Sequence, residues 1–216
     1  MASLCDSTLE QLRRTVAGNT PTPAGVAIAA VSASLALGLL AKVLAVSGRR
    51  AGSAAPGDRL ASLAVTAEEA SARLLRLAGE DGVAFEAYLT ASRAPRSTDG
   101  EPRERAASVD AAVRRIVDLP LACAREAAAG LQLCDETSAL IHPVVVADLA
   151  VCATLLASAL RGFLACAQSN IRQLAPAAAD YQELLARESE RQRQAFRAAD
   201  AVLGRVTAAL QATGTP

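Results

Sequence analysis

From Ala24 to Val46 the chain runs through small and apolar residues with one charge, Lys42. That length would carry a helix across a bilayer, so the segment is either a membrane span or a helix that other helices must cover. It is rich in Ala, Ser and Gly, its basic flank lies on one side only, and no other segment stands out as comparable. The expectation is therefore a buried central helix, not a span. The residues up to Thr22 are polar and charged, without the pattern of a signal peptide.

What could cover such a helix follows from composition. Apolar residues make up 52% of the chain but aromatics only 2%, so alanine and leucine supply the bulk. Both favour helix and have little preference for strands. Side chains this small bury enough area only when helices approach closely, which predicts an all-α bundle of about six long helices. No internal repeat and no shift in composition divides residues 1–216, so a single domain is expected. Formal net charge is zero, which removes the clustered cations that phosphate neutralisation requires and argues against a nucleic-acid partner. The five cysteines form no C-x-x-C pair, and His142 is the one histidine. A zinc site is not expected, and unpaired thiols on apolar stretches suit a reducing, cytoplasmic setting.

Punctuation divides the chain into helices. Ser7 and Glu10 have capping-box spacing ahead of a short helix to about Ala17, and Pro21-Thr22-Pro23 closes a loop. The apolar helix spans Gly25 to Ser47, with Gly48 as its C-cap, and Gly52 to Gly57 reads as an exposed connection. A second long helix spans Asp58 to Arg93. Its buried stripe is Leu60, Leu63, Ala67, Ala70, Leu74, Leu77, Asp81, Phe85 and Tyr88. Gly79 and Gly82 bracket Asp81 and would let another backbone approach. Ala94 to Pro102 is a surface connection. The next helix starts near Glu101, bends at Pro120 and resumes through Leu140. Pro143 opens a helix to Leu174, Pro176 breaks it, and the last helix ends near Gln211. The charges between Glu183 and Arg197 read as a solvated face.

Three segments in this order resemble the cyclodeaminase/cyclohydrolase family, which comprises the C-terminal domain of formiminotransferase-cyclodeaminase and bacterial methenyltetrahydrofolate cyclohydrolases. Pro21-Thr22-Pro23-Ala24-Gly25-Val26-Ala27 stands where the family shows Pro-Thr-Pro-Gly-Gly-Gly-Ser. Asp81-Gly82-Val83-Ala84-Phe85, followed by Arg93-Ala94-Pro95-Arg96 and Arg105, is similar to its Asp-x-x-Ala-Phe, Pro-Lys and Arg pattern. Val145-Val146-Ala147-Asp148 leads through an Ala-rich helix to Asn170, where the family has Ser-Asp and two asparagines. Leu119-Pro120-Leu121 also fits. The resemblance implies a helical homodimer that binds a small molecule in a cleft at or near the subunit interface. Pro23, Gly25, Phe85, Cys166 and Asn170 would contact that ligand. No cofactor is implied, and a tetrahydrofolate adduct would enter as substrate. The chain departs from the family where Ala24-Gly25-Val26-Ala27 replaces the glycine turn, Ile141-His142 replaces Gly-Asn, Cys166 replaces the first asparagine and Lys42 replaces a methionine.

Four side chains carry candidate chemistry. Asp81 lies on an apolar stripe, where desolvation would raise its pKa and suit proton transfer; the competing reading is an aspartate at the solvent edge or paired with an arginine. Asp148 sits in a run with no other charge until Arg161, either facing a ligand or complementing a helix N-terminus. His142 is a proton carrier or a turn residue, and Lys42 a desolvated amine or a snorkelling one. Arg96, Arg103 and Arg105 could hold carboxylates of a folate tail. The expected function is an enzyme that makes or breaks a C–N bond in a cyclic imine, iminium or amidine. The altered glycine turn suggests repurposing as a cyclase in specialised metabolism. Methenyltetrahydrofolate cyclohydrolase or formiminotetrahydrofolate cyclodeaminase activity stands beside that reading, as does a non-catalytic dimeric scaffold.

Overall fold

A computed structural model describes residues 4–51, 55–94, 101–172 and 178–212. Every regular element among them is helical. A short α1 (Leu9–Val16) precedes five long helices: α2 (Gly25–Ala51), α3 (Ala55–Arg93), α4 (Glu101–Thr137), α5 (Val146–Ile171) and α6 (Ala178–Ala212). Single 3-10 turns at Ser138–Leu140 and Pro143–Val145 join α4 to α5. The capping box that starts α1 is made by Thr8 and Gln11, one residue beyond the expected pair. The Gln11 side-chain oxygen accepts from the Thr8 backbone N–H at 2.8 Å, a contact that Glu10 gives up by pairing with Arg13 and Arg14.

The long helices alternate in direction, as cross-helix contacts show. Ser34 and Ser71 exchange hydroxyl-to-carbonyl hydrogen bonds at 2.9 and 2.8 Å, which ties α2 to α3 at mid-height. Arg73 to Glu126 and Arg115 to Glu80 link α3 to α4. Arg125 to the buried Glu188 links α4 to α6. At one end of the bundle α2 begins, α3 ends and α5 ends; at the other, Ser47 of α2 meets His142 ahead of α5. Phe163 and leucines from several helices, including Leu37, Leu131, Leu149 and Leu156, are among the bundle's largest fully buried side chains.

Glycine sets the spacing. Gly48 is not a cap: α2 continues to Ala51, and a Cβ at position 48 would lie 3.0 Å from the Gly57 carbonyl oxygen. Gly57 itself is buried within α3 rather than exposed, while positions 52–54 lie outside the described residues. Gly79, expected to admit a neighbour, has nothing within 4 Å of a Cβ there, and Gly82 meets only the Thr22 side chain at 3.8 Å.

Helix α4 continues through Pro120, whose ring is buried between the buried Leu119 and Leu121. Helix α5 begins at Val146, after the 3-10 turn that Pro143 opens, and ends at Ile171. Pro176 and Arg96 fall outside the described residues. Both α2 and the segment Pro143–Ile171 are long and apolar enough to cross a membrane, so α2 is not alone in this respect. In each, only about half of the most apolar window is covered by the bundle, 56% and 50%.

The two glycines give opposite stability effects. Gly79→Ala, with open space and a helical backbone, raises unfolding free energy by up to about 1 kcal/mol. Gly48→Ala, which presses on a backbone carbonyl that cannot rotate away, lowers it by about 1–3 kcal/mol. Urea denaturation of both variants checks the pair of signs.

Candidate active site

The Pro21–Ala27 turn, the Asp81–Phe85 segment of α3 and the Cys166–Asn170 end of α5 come together where α2 begins. The Thr22–Pro23 peptide bond is cis, and the turn delivers Gly25 against Cys166 of α5. A Cβ on Gly25 would stand 3.2 Å from the Cys166 sulfur, so a side chain here would require Cys166 to give by a few tenths of an ångström. Val26 and Ala27, which replace a glycine and the serine of the family motif, are buried in the core. The Val26 side chain is therefore taken up by the core, and of the two residues that replace glycines, Ala24 and Val26, only Ala24 is exposed.

Asp81 comes to the same end of the bundle from α3. It is buried, and no hydrogen-bond donor or cation reaches its carboxylate among the described residues. Burial pushes its pKa up to about 6 from an ordinary 3.8, because a charge away from water lacks the solvation it would have in the unfolded chain. Its field reaches Cys123 on α4 and Cys166 on α5. Burial first, and then the Asp81 charge, pushes the Cys123 thiol up to about 12 and raises Cys166. Both thiols are thus protonated near neutral pH, and thiolate chemistry is not what this cluster offers. Phe85 lies one turn beyond Asp81, half-buried, with its ring 6.0 Å from that of Tyr88.

Asn170 lies one turn past Cys166 and already has a structural partner. Its amide nitrogen donates to the Ile116 carbonyl oxygen at 2.7 Å. Residue 116 is the i−4 partner of Pro120, which has no N–H to offer it. The asparagine thus satisfies the carbonyl that the proline leaves free, which helps explain why α4 is not interrupted there. Sequence reasoning placed both residues in motifs and missed this link, because the two are distant in the chain.

The remaining candidates lie elsewhere. Asp148 and Cys166 are eighteen residues apart on α5, which at 3.6 residues per turn is five full turns: the same helix face, roughly 27 Å apart. Asp148 is half-buried at the far end. His142 belongs to that end too; its backbone N–H donates to Ser47 Oγ at 3.0 Å, and its Nδ1 accepts from the Val144 N–H at 3.2 Å. One ring nitrogen is thereby engaged in capping the turn that opens α5, leaving Nε2. Lys42 is exposed on α2, in an open groove of about 600 Å³ shared with Arg49, Glu68 and Glu69. Arg103 is exposed. Arg105 donates to the Ser92 carbonyl at 2.6 Å, and its buried Nε has no hydrogen-bond partner. Within one chain, then, Pro23, Gly25, Asp81, Phe85, Cys166 and Asn170 gather at one end, while Lys42, His142 and Asp148 lie toward the other.

Comparison with known proteins bears on the family. The sequence profile of the formiminotransferase-cyclodeaminase family matches residues 8–191. The chain belongs to that family. It is 30% identical over 121 residues to the methenyltetrahydrofolate cyclohydrolase of Methylorubrum extorquens, in a match covering 56% of this chain and 58% of that protein. The crystal structure of formiminotetrahydrofolate cyclodeaminase from Thermotoga maritima superposes with a TM-score of 0.76 at 18% identity, over 96% of this chain and 98% of that one. That likeness is one of fold.

Two measurements follow. Asn170→Ala strands the Ile116 carbonyl and lowers stability by about 1–3 kcal/mol; in a Pro120→Ala background, where residue 120 supplies its own N–H, most of that loss disappears, so the double-mutant cycle is non-additive. For Asp81, the folded chain binds more protons than the unfolded chain between about pH 4 and 6, so stability falls as pH rises through that window. Asp81→Asn removes this slope, gaining on the order of 1 kcal/mol at pH 8, discounted for residual solvent contact, and nothing at about pH 3.5.

Proposed function

We propose that this chain hydrolyses the cyclic amidinium of a methenyl-tetrahydrofolate adduct. The observation that supports the reading is Asp81: a buried carboxylate with no counter-charge among the described residues, at the end of the bundle where the Pro21–Ala27 turn meets the Cys166–Asn170 end of α5. A cationic C=N centre is the complement such a group lacks, and its binding offsets the desolvation of the carboxylate. In the reaction, water adds to the carbon between the two nitrogens while a carboxylate accepts the proton it releases. The C–N bond to one nitrogen then breaks, that nitrogen takes up a proton, and the carbon remains as a formyl group on the other. Proton affinity near neutrality suits a group that must accept and return a proton in one turnover.

The retained Gly25 and the inward-facing Val26 keep the turn open beside Cys166, which favours a folate adduct over the specialised-metabolism cyclase. The relatives lend the cyclase no support. Asp148 and His142 lie toward the other end of the same chain, so they join this scheme only across the subunit interface that the family resemblance implies, Asp148 as the second carboxylate and His142, through Nε2, as a proton carrier. The free Nε of Arg105 offers a donor to a substrate carboxylate. The related deamination of a formimino adduct would begin from the same cationic carbon and expel ammonia.

The test is turnover of methenyltetrahydrofolate, followed by loss of the amidinium absorbance, with ammonia release from the formimino adduct measured in parallel. Asp81→Asn and Asp148→Asn are each expected to lower kcat by about 100-fold or more. Turnover of neither compound by the wild-type protein would sink the proposal.

A further inference from the structure

Helix α4 carries a proline in its interior, where the ring removes a hydrogen bond and weakens a helix, and yet the helix runs on. What Pro120 changes is Ile116. With no N–H at position 120, the Ile116 carbonyl lacks its helical donor and takes the Asn170 side chain from α5 at 2.7 Å. A carbonyl oxygen only accepts, so the group that Asn170 turns toward it must be the NH2. The amide is thereby fixed one way round, and Oδ1 is the atom left to meet a ligand. Asn170 is half-buried; its Oδ1 has no partner among the described residues and is not sealed from solvent.

Cross-helix contacts give the height of this oxygen in the bundle. The ion pairs Arg73–Glu126 and Arg115–Glu80 set α3 antiparallel to α4, and one residue beyond Glu80 they put Asp81 level with the turn of α4 centred on Ile116. The Asn170–Ile116 bond carries that level to α5. Ser34 and Ser71 align α2 with α3 in the same manner, so that Gly25 stands level with Glu80. Asn170 shares its helix face with Cys166, one turn earlier, and Cys166 lies against Gly25 and within the field of Asp81. One layer therefore holds a carboxylate and an amide oxygen, both acceptors, beside thiols that hydrogen-bond weakly.

We infer that Pro120 is a positioning residue: by withholding an N–H from Ile116 it pins the Asn170 amide, so that Oδ1 accepts a hydrogen bond from a ring N–H of the ligand that Asp81 binds. The identity of that ligand as a tetrahydropterin adduct, whose ring edge carries N–H donors, rests on the hydrolysis proposed above; the pinning of the amide does not. An asparagine free to turn would offer either end and lose rotational freedom on binding. A pinned one offers an acceptor only, and a site built that way discriminates against ligands that lack the matching donor.

The pinning is tested without a ligand. In the wild-type protein one Asn170 side-chain amide proton is expected downfield in the NMR spectrum and slow to exchange with solvent. In Pro120→Ala, whose new N–H takes over the Ile116 carbonyl, both properties are expected to disappear; an unchanged resonance overturns the pinning. The role of Oδ1 is tested with methenyltetrahydrofolate, with binding read in a rapid-mixing titration of its absorbance and turnover in the steady state. Pro120→Ala and Asn170→Ala are each expected to weaken binding and lower kcat/KM by about 3–10-fold, through KM, and the double variant by no more than either alone. Placing lactate at position 120, an alanine analogue with an ester oxygen where the N–H would be, is expected to return binding to the level of proline. An ester variant that binds as weakly as Pro120→Ala assigns the effect to the shape of the ring and overturns the inference, as do additive losses or unaltered binding in Pro120→Ala. A wild-type chain that fails to bind the adduct overturns the role given to Oδ1. Binding with this pattern but no turnover supports the inference and counts against the hydrolysis alone.

Discussion

Close approach between helices is the constraint on which this structure depends. A bundle whose core is mostly alanine and leucine, with 2% aromatics in the chain, gains little area per side chain and must recover it by bringing backbones together. The α2–α3 contact shows how. Ser34 and Ser71 each hydrogen-bond the other's carbonyl, so hydroxyls at the crossing are satisfied instead of being buried without partners. Further along, Gly48 leaves room for the Gly57 carbonyl. A larger side chain at any of these points would separate the helices and open gaps on either side.

The same tight packing makes polar groups in the interior consequential. Ile116 would have an unpaired carbonyl beneath Pro120 if Asn170 did not reach across from α5. Glu188 is buried but held by Arg125 and Arg191. Asp81 differs from both, since burial acts on it with no such compensation among the described residues. Beside a buried glutamate that two arginines hold, an uncompensated carboxylate close to Cys166 marks the place where a positively charged ligand would be most strongly favoured. The thiols around it are held protonated by burial and by its charge, so they shape the pocket without competing as nucleophiles.

Much of the fold was legible in residue order. The stripe from Leu60 through Leu74 to Asp81 lies inward as its three- and four-residue spacing indicates, because a helix repeats its face at that interval whatever surrounds it. Proline and glycine were less reliable guides. Gly48 looked like a terminus and is a contact point; Pro120 lies inside one continuous helix. In each case the local preference to end or break a helix, worth about 1–3 kcal/mol, was opposed by packing on both sides of the residue, and the helix runs on. The candidate site was legible as a set of motifs but not as a place. Lys42, His142 and Asp148 fall in the same motif order as Asp81, yet the alternating helix directions carry them toward the opposite end.

By itself, the sequence determined that the chain would be helical, that its helices would be long, and that Asp81 would face inward, since these follow from propensity and periodicity within one segment. Only the tertiary structure decided which ends of the helices meet. That choice put Asn170 under Pro120, set Gly25 against Cys166, and placed the two carboxylates toward opposite ends of the bundle. The reason is physical: periodicity specifies a face, which is a direction around a helix axis, whereas position along the bundle depends on how neighbouring helices are turned and aligned. No residue encodes that alignment alone, because it arises from the fit of several surfaces at once.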